Sequence, residues 1–195
     1  RKVAKTTIAH QSQRVYRVGW GSLGKADASS PYLDAFRQGL KERGYLEGRD
    51  VIVEARFADG ARERADELVT ALVRSKVDVI VTQGGALRSA VRQGGSTPVV
   101  FGYSGDPVAA RFVETFARPG GTRTGISFLA LELVGKRLEV LAKVLPTGSR
   151  VAIVANPEHP GEQAEFRASQ SAAQETGLRL GYFSVRSVGE LDESF

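Results

Sequence analysis

The sequence predicts an α/β protein whose strands lie in parallel sheets. Three observations predict it. Apolar runs of strand length, among them Val77 to Val81 and Pro98 to Phe101, are nearly unbroken, as strands are when both faces of a sheet are covered. Each run feeds into small polar residues, Gln83-Gly84-Gly85 and Ser104-Gly105-Asp106-Pro107. Between the runs lie segments with apolar residues at helical spacing, and strand, helix, strand repeated in this way marks parallel βαβ units with right-handed crossovers. Ligands of such sheets sit beyond the carboxyl ends of the strands, so the two exits between Val77 and Val108 form the candidate site.

Taken in order, the first element is the β-rich run Val15 to Trp20, which leaves through Gly21-Ser22-Leu23-Gly24. Ser30-Pro31 reads as an N-cap followed by proline at the first helical position, and Leu33, Phe36 and Leu40 continue that helix until Gly44. In VIVEARF, Val51, Val53, Ala55 and Phe57 alternate with Ile52, Glu54 and Arg56, which predicts a strand near a sheet edge with one wetter face. Ala65, Leu68, Val69, Leu72 and Val73 stripe the next helix. A short helix with Leu87, Ala90 and Val91 ends at Gly94-Gly95. From Pro107 a further helix is expected to group Val108, Phe112, Val113 and Phe116. An extended run, Thr124 to Phe128, precedes a long helix marked by Leu131, Val134, Leu138, Leu141 and Leu145. A second copy of the pattern follows: strand Val151 to Ala155, the loop Asn156 to Pro160, a helix through Gln174 and strand Leu178 to Val185. Ser187 is an expected N-cap for a last helix. Two strands and their helices leave edges and apolar faces uncovered, so the second unit is expected to be incomplete in this chain.

With 195 residues, 42% hydrophobic and 25% charged, the chain has material for one good core or two small ones. The apolar runs fall far short of the ~20 residues a membrane span needs. Zero Cys excludes disulfides and thiolate chemistry, and with two His and no H-E-x-x-H pattern no transition-metal site is expected. The net charge of +5 is spread over helices that also carry acids, as in RERADELVTALVRSK, which reads as solvated surface rather than a nucleic-acid footprint. Residues 1–13 are basic and polar and read as a flexible N-terminal arm. With no Met in the chain, an upstream segment is expected to have been removed, a signal peptide among the possibilities.

The series YLDAFRQGLKERGYLEGRDVIVEARFADG, VDVIVTQGG, TPVVFGYSGDPV, FARPGGTRTGISF, ELVGKRLEVLAKVLP and RVAIVANPEHP resembles the ABC-transporter substrate-binding protein family that includes tryptophan- and other aromatic amino acid-binding members. The resemblance runs from Tyr16 onward, and its specificity lies in the ordered series. It implies a type I periplasmic-binding-protein fold of two doubly wound α/β lobes: a first ligand-binding lobe at 14–128, then a hinge crossover and partial second lobe at 129–195. It further implies a solute-binding component of an uptake transporter, located outside the cytoplasm. The expected ligand is an aromatic or branched amino acid, and the expected partner a membrane permease. No cofactor or catalytic residue is expected. Two rival readings are a ligand-sensing domain of a regulator, since one fold serves many functions, and a small α/β enzyme.

Each candidate site residue has a functional and a structural reading. Gly84 and Gly85 precede a helix whose free N–H groups suit a carboxylate and permit close ligand approach, or they form a plain strand-to-helix turn. No G-K-[ST] follows, so this is not a P-loop. Asp106 holds a ligand ammonium or caps the next helix; in members resembling this chain the Gly-Asp-Pro loop lines the cleft. Ser22, Gln83, Ser104 and Ser127 lie at strand ends and offer neutral hydrogen bonds, or are satisfied loop residues. Tyr103 is the better ring contact to a ligand, whereas Trp20 suits core packing. Asn156, at the other lobe's first strand exit, is expected to face the cleft, and His159 is assigned a surface-loop role. The G-x-S-x-G elbow is missing around Ser104, and His159 has no expected partner for catalysis.

Overall fold

The computed structural model describes residues 14–128, 130–157, 159, 161–186 and 188–193. The expected N-terminal arm and the expected cap Ser187 lie outside these residues. The first sheet is wholly parallel, in the order β2 (Val51–Phe57), β1 (Tyr16–Ser22), β3 (Val79–Gln83), β4 (Val99–Tyr103), β5 (Arg123–Ser127). β2 is an edge, as its alternation predicts: Val51 and Val53 are buried, while Ile52 is exposed.

Helix α1 (Ala26–Glu42) lies on one face of this sheet, where Leu33 joins Val18, Trp20, Val51 and Val53 in one core and Phe36 tilts against Trp20 at 5.4 Å. Helices α2 (Ala65–Arg74) and α3 (Ala86–Gln93) cover the other face, where Leu68, Val69, Leu72, Ile80, Leu87 and Phe101 form a second core. Apolar cores on both faces explain why β3 reads as an unbroken apolar run, Ile80 facing one core and Val79 and Val81 the other; β4 buries Val99, Phe101 and Tyr103 on one face and leaves Val100 exposed on the other. Trp20 takes the core position expected of it, with its indole Nε1 buried and without a partner among the described residues.

Two expectations are corrected. Helix α1 begins at Ala26, not at Ser30-Pro31; Pro31 sits inside the helix and removes one backbone hydrogen bond there. No helix follows Pro107. Ala110 N–H reaches Asp106 O at 3.0 Å, but Phe112 N–H turns back to Pro107 O and Arg111 takes a φ of 58°, so the chain closes one turn and leaves the right-handed path.

After β5 the chain crosses into a second unit: α4 (Glu132–Val144), β6 (Arg150–Ala155), α5 (Glu162–Thr176) and β7 (Arg179–Ser184), with a short α6 (Val188–Glu193) beyond. β6 and β7 pair in parallel as a two-stranded sheet, and Leu138, Ala172, Ala173 and Leu178 form its small core. None of the residues in β6 or β7 is fully buried, the signature expected for a sheet with uncovered edges. Among the described residues no helix is long and apolar enough to cross a membrane.

Candidate functional site

The strand order of the first sheet reverses between β1 and β3, the place where doubly wound sheets open a crevice. Here that crevice is filled from within. A Cβ on Gly85 would fall 2.3 Å from Leu23 Cδ1, so in this structure the space beside the glycine is taken by the protein's own leucine. Gly84 N–H donates to Gly102 O at 3.2 Å, so this amide continues the sheet instead of standing free at the helix end. Ser22, buried at the end of β1, accepts from Gly24 N–H at 3.1 Å. Gln83 ends β3 and lines neither of the cavities at the lobe junction.

The next strand exit is held differently. Ser127 Oγ donates to Gly105 O at 2.8 Å, Phe128 N–H to Tyr103 O at 2.9 Å and Ala130 N–H to Ser104 O at 2.9 Å. These bonds fix the loop Ser104 to Asp106 against the segment that leads into the second unit. Ser127 is therefore a support of this loop. Asp106 Oδ1 accepts from Val108 N–H at 2.7 Å and Ala109 N–H at 3.0 Å, the capping role weighed for it. Its Oδ2 takes no hydrogen bond from a described residue.

A cavity of about 280 Å³ lies where the two units meet, lined by Arg88, Tyr103, Gly105 and Asp106 from the first and by Gly161 and Glu165 from the second. Tyr103 is 3% exposed; its ring packs edge-on against Phe112 at 5.2 Å and belongs largely to the core, while its hydroxyl lies beside Gly105, where a Cβ would sit 3.1 Å away. Burial raises the Tyr103 phenol above its ordinary range; Glu165 and Asp106 add to this and Arg88 opposes it.

A larger cavity of about 610 Å³ runs along β6 between α4 and α5. Val134, Leu138, Val151, Ile153 and Phe166 give it an apolar wall, and Ser104, Asn156 and His159 stand on it as well. Arg137, Glu162 and Glu165 add charge to it, but most of its lining comes from the second unit, whereas the smaller cavity divides more evenly between the two units and gathers charged and polar groups from each, the arrangement that orients a small ligand. The candidate residues thus divide: Tyr103 and Asp106 share the smaller cavity, Ser104 and Asn156 the larger, and Ser22, Gln83 and Gly84 join neither.

His159 is more than a surface-loop residue. Its Nε2 lies 3.0 Å from Ser104 Oγ, a bond that bridges the two units. Its Nδ1 accepts from Gly161 N–H at 3.2 Å, which places the ring proton on Nε2 and makes Ser104 Oγ the acceptor. A nucleophilic serine needs the opposite tautomer, with Nε2 free to take its proton. The strand-exit logic applied to Asn156 would have found His159 too. Arg88 and Glu165 gave no such signal, because each sits in a helix whose cavity-facing side appears only once the units meet. Among the described residues no cluster of three or more His, Asp or Glu is placed to hold a metal ion.

Residues 25–194 match a family described as ABC transporter substrate binding protein. A tyrosine-binding protein of Clostridioides difficile is 19% identical over 170 residues, 84% of this chain and 48% of its own length. A conserved domain protein of Vibrio cholerae superposes with a TM-score of 0.82 at 22% identity, over 93% of this chain and 61% of that one. An ABC domain of Streptococcus pneumoniae solved with L-Trp gives a TM-score of 0.76 at 20% identity, over the same shares, 93% and 61%. The chain therefore spans about half of the curated relative (48%) and three fifths of these structures (61%). The fold is that of the type I periplasmic-binding proteins, with the second lobe present in part.

Proposed function

This chain belongs to the ABC transporter substrate-binding protein family, and from that premise we propose that it captures a small amino-acid-like solute between its lobes for a membrane permease. The observation that carries the reading is the cavity of about 280 Å³ whose walls come from both lobes. A ligand touching both lobes binds the closed arrangement better than an open one and shifts the population toward it. The volume lies near the lower end for small-molecule sites, which suits a single amino acid better than a sugar or nucleotide. Relatives that bind tyrosine and L-Trp support an aromatic amino acid, with branched ones next.

In this reading residues 14–128 are the first ligand-binding lobe and 129–195 the crossover and part of the second, with bending near Phe128 to Leu131. Asp106 Oδ2 faces the ligand ammonium, while Ser104, His159 and Asn156 line the lobe contact. Ser22, Gln83, Gly84, Gly85 and Ser127 shape and support the strand ends. The protein works outside the cytoplasm, without cofactor and without a chemical step.

The test is a thermal-shift screen of the full chain against the amino acids and small carboxylates. A ligand at about a hundred times its Kd stabilises by roughly 2.7 kcal/mol, enough to raise the melting temperature by several degrees. An amino acid that does so and is recovered unchanged supports the reading. Failure of every amino acid at millimolar concentration refutes it.

A further inference from the structure

We propose that Arg88 and the hydroxyl of Tyr103 together hold the carboxylate of the solute, with Asp106 and Glu165 facing its ammonium; this rests on the cavity being the solute site. Arg88 stands in the first turn of α3 and lines the cavity. Its guanidinium joins no ion pair among the described residues, whereas Arg92, one turn on, bonds Asp66 at 2.6 Å. What positions Arg88 is a ring: its guanidinium carbon lies 5.9 Å from the Phe112 centroid. Phe112 in turn packs edge-on against the Tyr103 ring, so one aromatic pair supports both residues at the cavity.

Tyr103 supplies the second, independent observation. Its side chain is 3% exposed, it lines the cavity, and its hydroxyl has no hydrogen-bond partner among the described residues. A hydroxyl on the cavity lining can donate to an acceptor that enters it, and the guanidinium on the same lining favours an acceptor carrying negative charge. The raised phenol keeps its proton at neutral pH and so serves as donor. A guanidinium fork matches a carboxylate with two parallel N–H bonds, which a neutral carbonyl or a sugar hydroxyl does not use fully.

The remaining charged residues of the lining come from both units. Asp106 has one free oxygen, and Glu165 lines the cavity from the second lobe. Arg167 lines the cavity from that lobe as well, and its Nη2 donates to Gln163 Oε1 at 3.4 Å. A guanidinium and a hydroxyl on one lining with two carboxylates suit a ligand that carries both charges close together, as an α-amino acid does.

The experiment is calorimetric titration of the full chain with L-tyrosine and L-valine, their amines tyramine and isobutylamine, and the deaminated acids 3-(4-hydroxyphenyl)propanoate and isovalerate. Arg88→Gln is expected to weaken the amino acids and acids by about tenfold to a hundredfold and to leave the amines unchanged. Tyr103→Phe, which keeps the ring, is expected to weaken the same probes by about threefold to tenfold. Arg88→Lys is expected to recover part of the loss. Circular dichroism confirms that each variant is folded. Parental affinity in Arg88→Gln, or equal weakening of acids and amines, overturns the assignment, as does a parent chain that binds no carboxylate probe. Should the parent bind the acids but not the amino acids, the amino-acid reading falls alone, and Arg88→Gln against the acids still decides the anchor.

Discussion

Adding one methyl group at Gly85 tests whether Leu23 fills the crevice between β1 and β3. A Cβ there falls 2.3 Å from Leu23 Cδ1 and 3.5 Å from Cγ. Carbon atoms rest at about 3.5–4.0 Å, so the tip of Leu23 must move by more than about 1 Å. The backbone itself is ready for alanine: Gly85 has φ −65° and ψ −28°, ordinary helical values. Alanine at a compatible glycine gains about 0.4–1 kcal/mol by restricting the unfolded chain, while overpacking costs about 1–3 kcal/mol. Gly85→Ala alone is therefore expected to destabilise by about 1 kcal/mol. In a Leu23→Ala background the clash is gone, and the same change is expected to stabilise by about 0.4–1 kcal/mol. Urea midpoints of the four proteins give the coupling directly, expected at about 1–3 kcal/mol. Equal effects of Gly85→Ala in both backgrounds, with coupling below about 0.5 kcal/mol, would refute the placement of Leu23.

Asp106→Ala removes the acceptor for Val108 and Ala109 N–H and is expected to cost about 1 kcal/mol by urea titration, whereas Asp106→Asn keeps the cap. Asp106→Asn should nonetheless lose the thermal shift with amino acids, and a full shift would return Asp106 to capping alone. Ser104→Ala breaks the bond to His159 and is expected to cost about 0.5–1.5 kcal/mol; strict additivity with His159→Ala in a double-mutant cycle would show that the bridge is not formed in solution. Glu54 is held below the usual carboxylate range chiefly by Arg56, then by Ser75, with Arg17 adding to it. Arg49 and the Leu46 N–H do the same for Asp50. Their folded-state values lie below the unfolded ones, so the stability they contribute is present above the ordinary carboxylate range and is lost as pH falls through the folded values. Glu54→Gln should therefore lower the melting temperature at neutral pH and flatten its acid limb, and a curve parallel to the parent's would count against the network.

The fold was legible because the sheet is parallel. Val79 to Val81 meet apolar side chains on both faces of the sheet, and that coverage writes itself into sequence as an unbroken apolar run; β4 carries the same run although its Val100 is exposed. The edge position of β2 was legible for the converse reason, since Ile52 and Glu54 point away from the core. The start of α1 was not, because Ser30-Pro31 is a strong local cap signal, yet the helix runs back to Ala26, where Ala26 and Asp27 are exposed and no apolar pattern marks them. The segment after Pro107 carries apolar residues at helical spacing, yet Phe112 meets the core through a single turn that breaks at Arg111. Strand-exit logic pointed to Tyr103, Ser104, Asp106 and Asn156, which line the two cavities beside the lobe junction. It could not tell that Gly85 would be covered by Leu23, because nothing local records which side chain crosses from a neighbouring strand. Nor could it place Arg88 and Glu165 on one cavity, since they come from two helices of different units that face the same space.

Trp20 gives the molecule an optical label that needs no engineering. It is the chain's one tryptophan, and it sits on the α1 face of the first sheet, against Phe36, while Tyr103 and the cavity belong to the opposite face. An indole buried among aliphatic side chains with its Nε1 unbonded emits at short wavelength, because no polar neighbour relaxes around its excited state. Its fluorescence therefore reports melting of the first lobe alone, and the second lobe is dark to it. Circular dichroism sees both. Following one denaturation with both signals separates the two lobes' stabilities in a single cuvette, and adding a solute reveals which of them it secures.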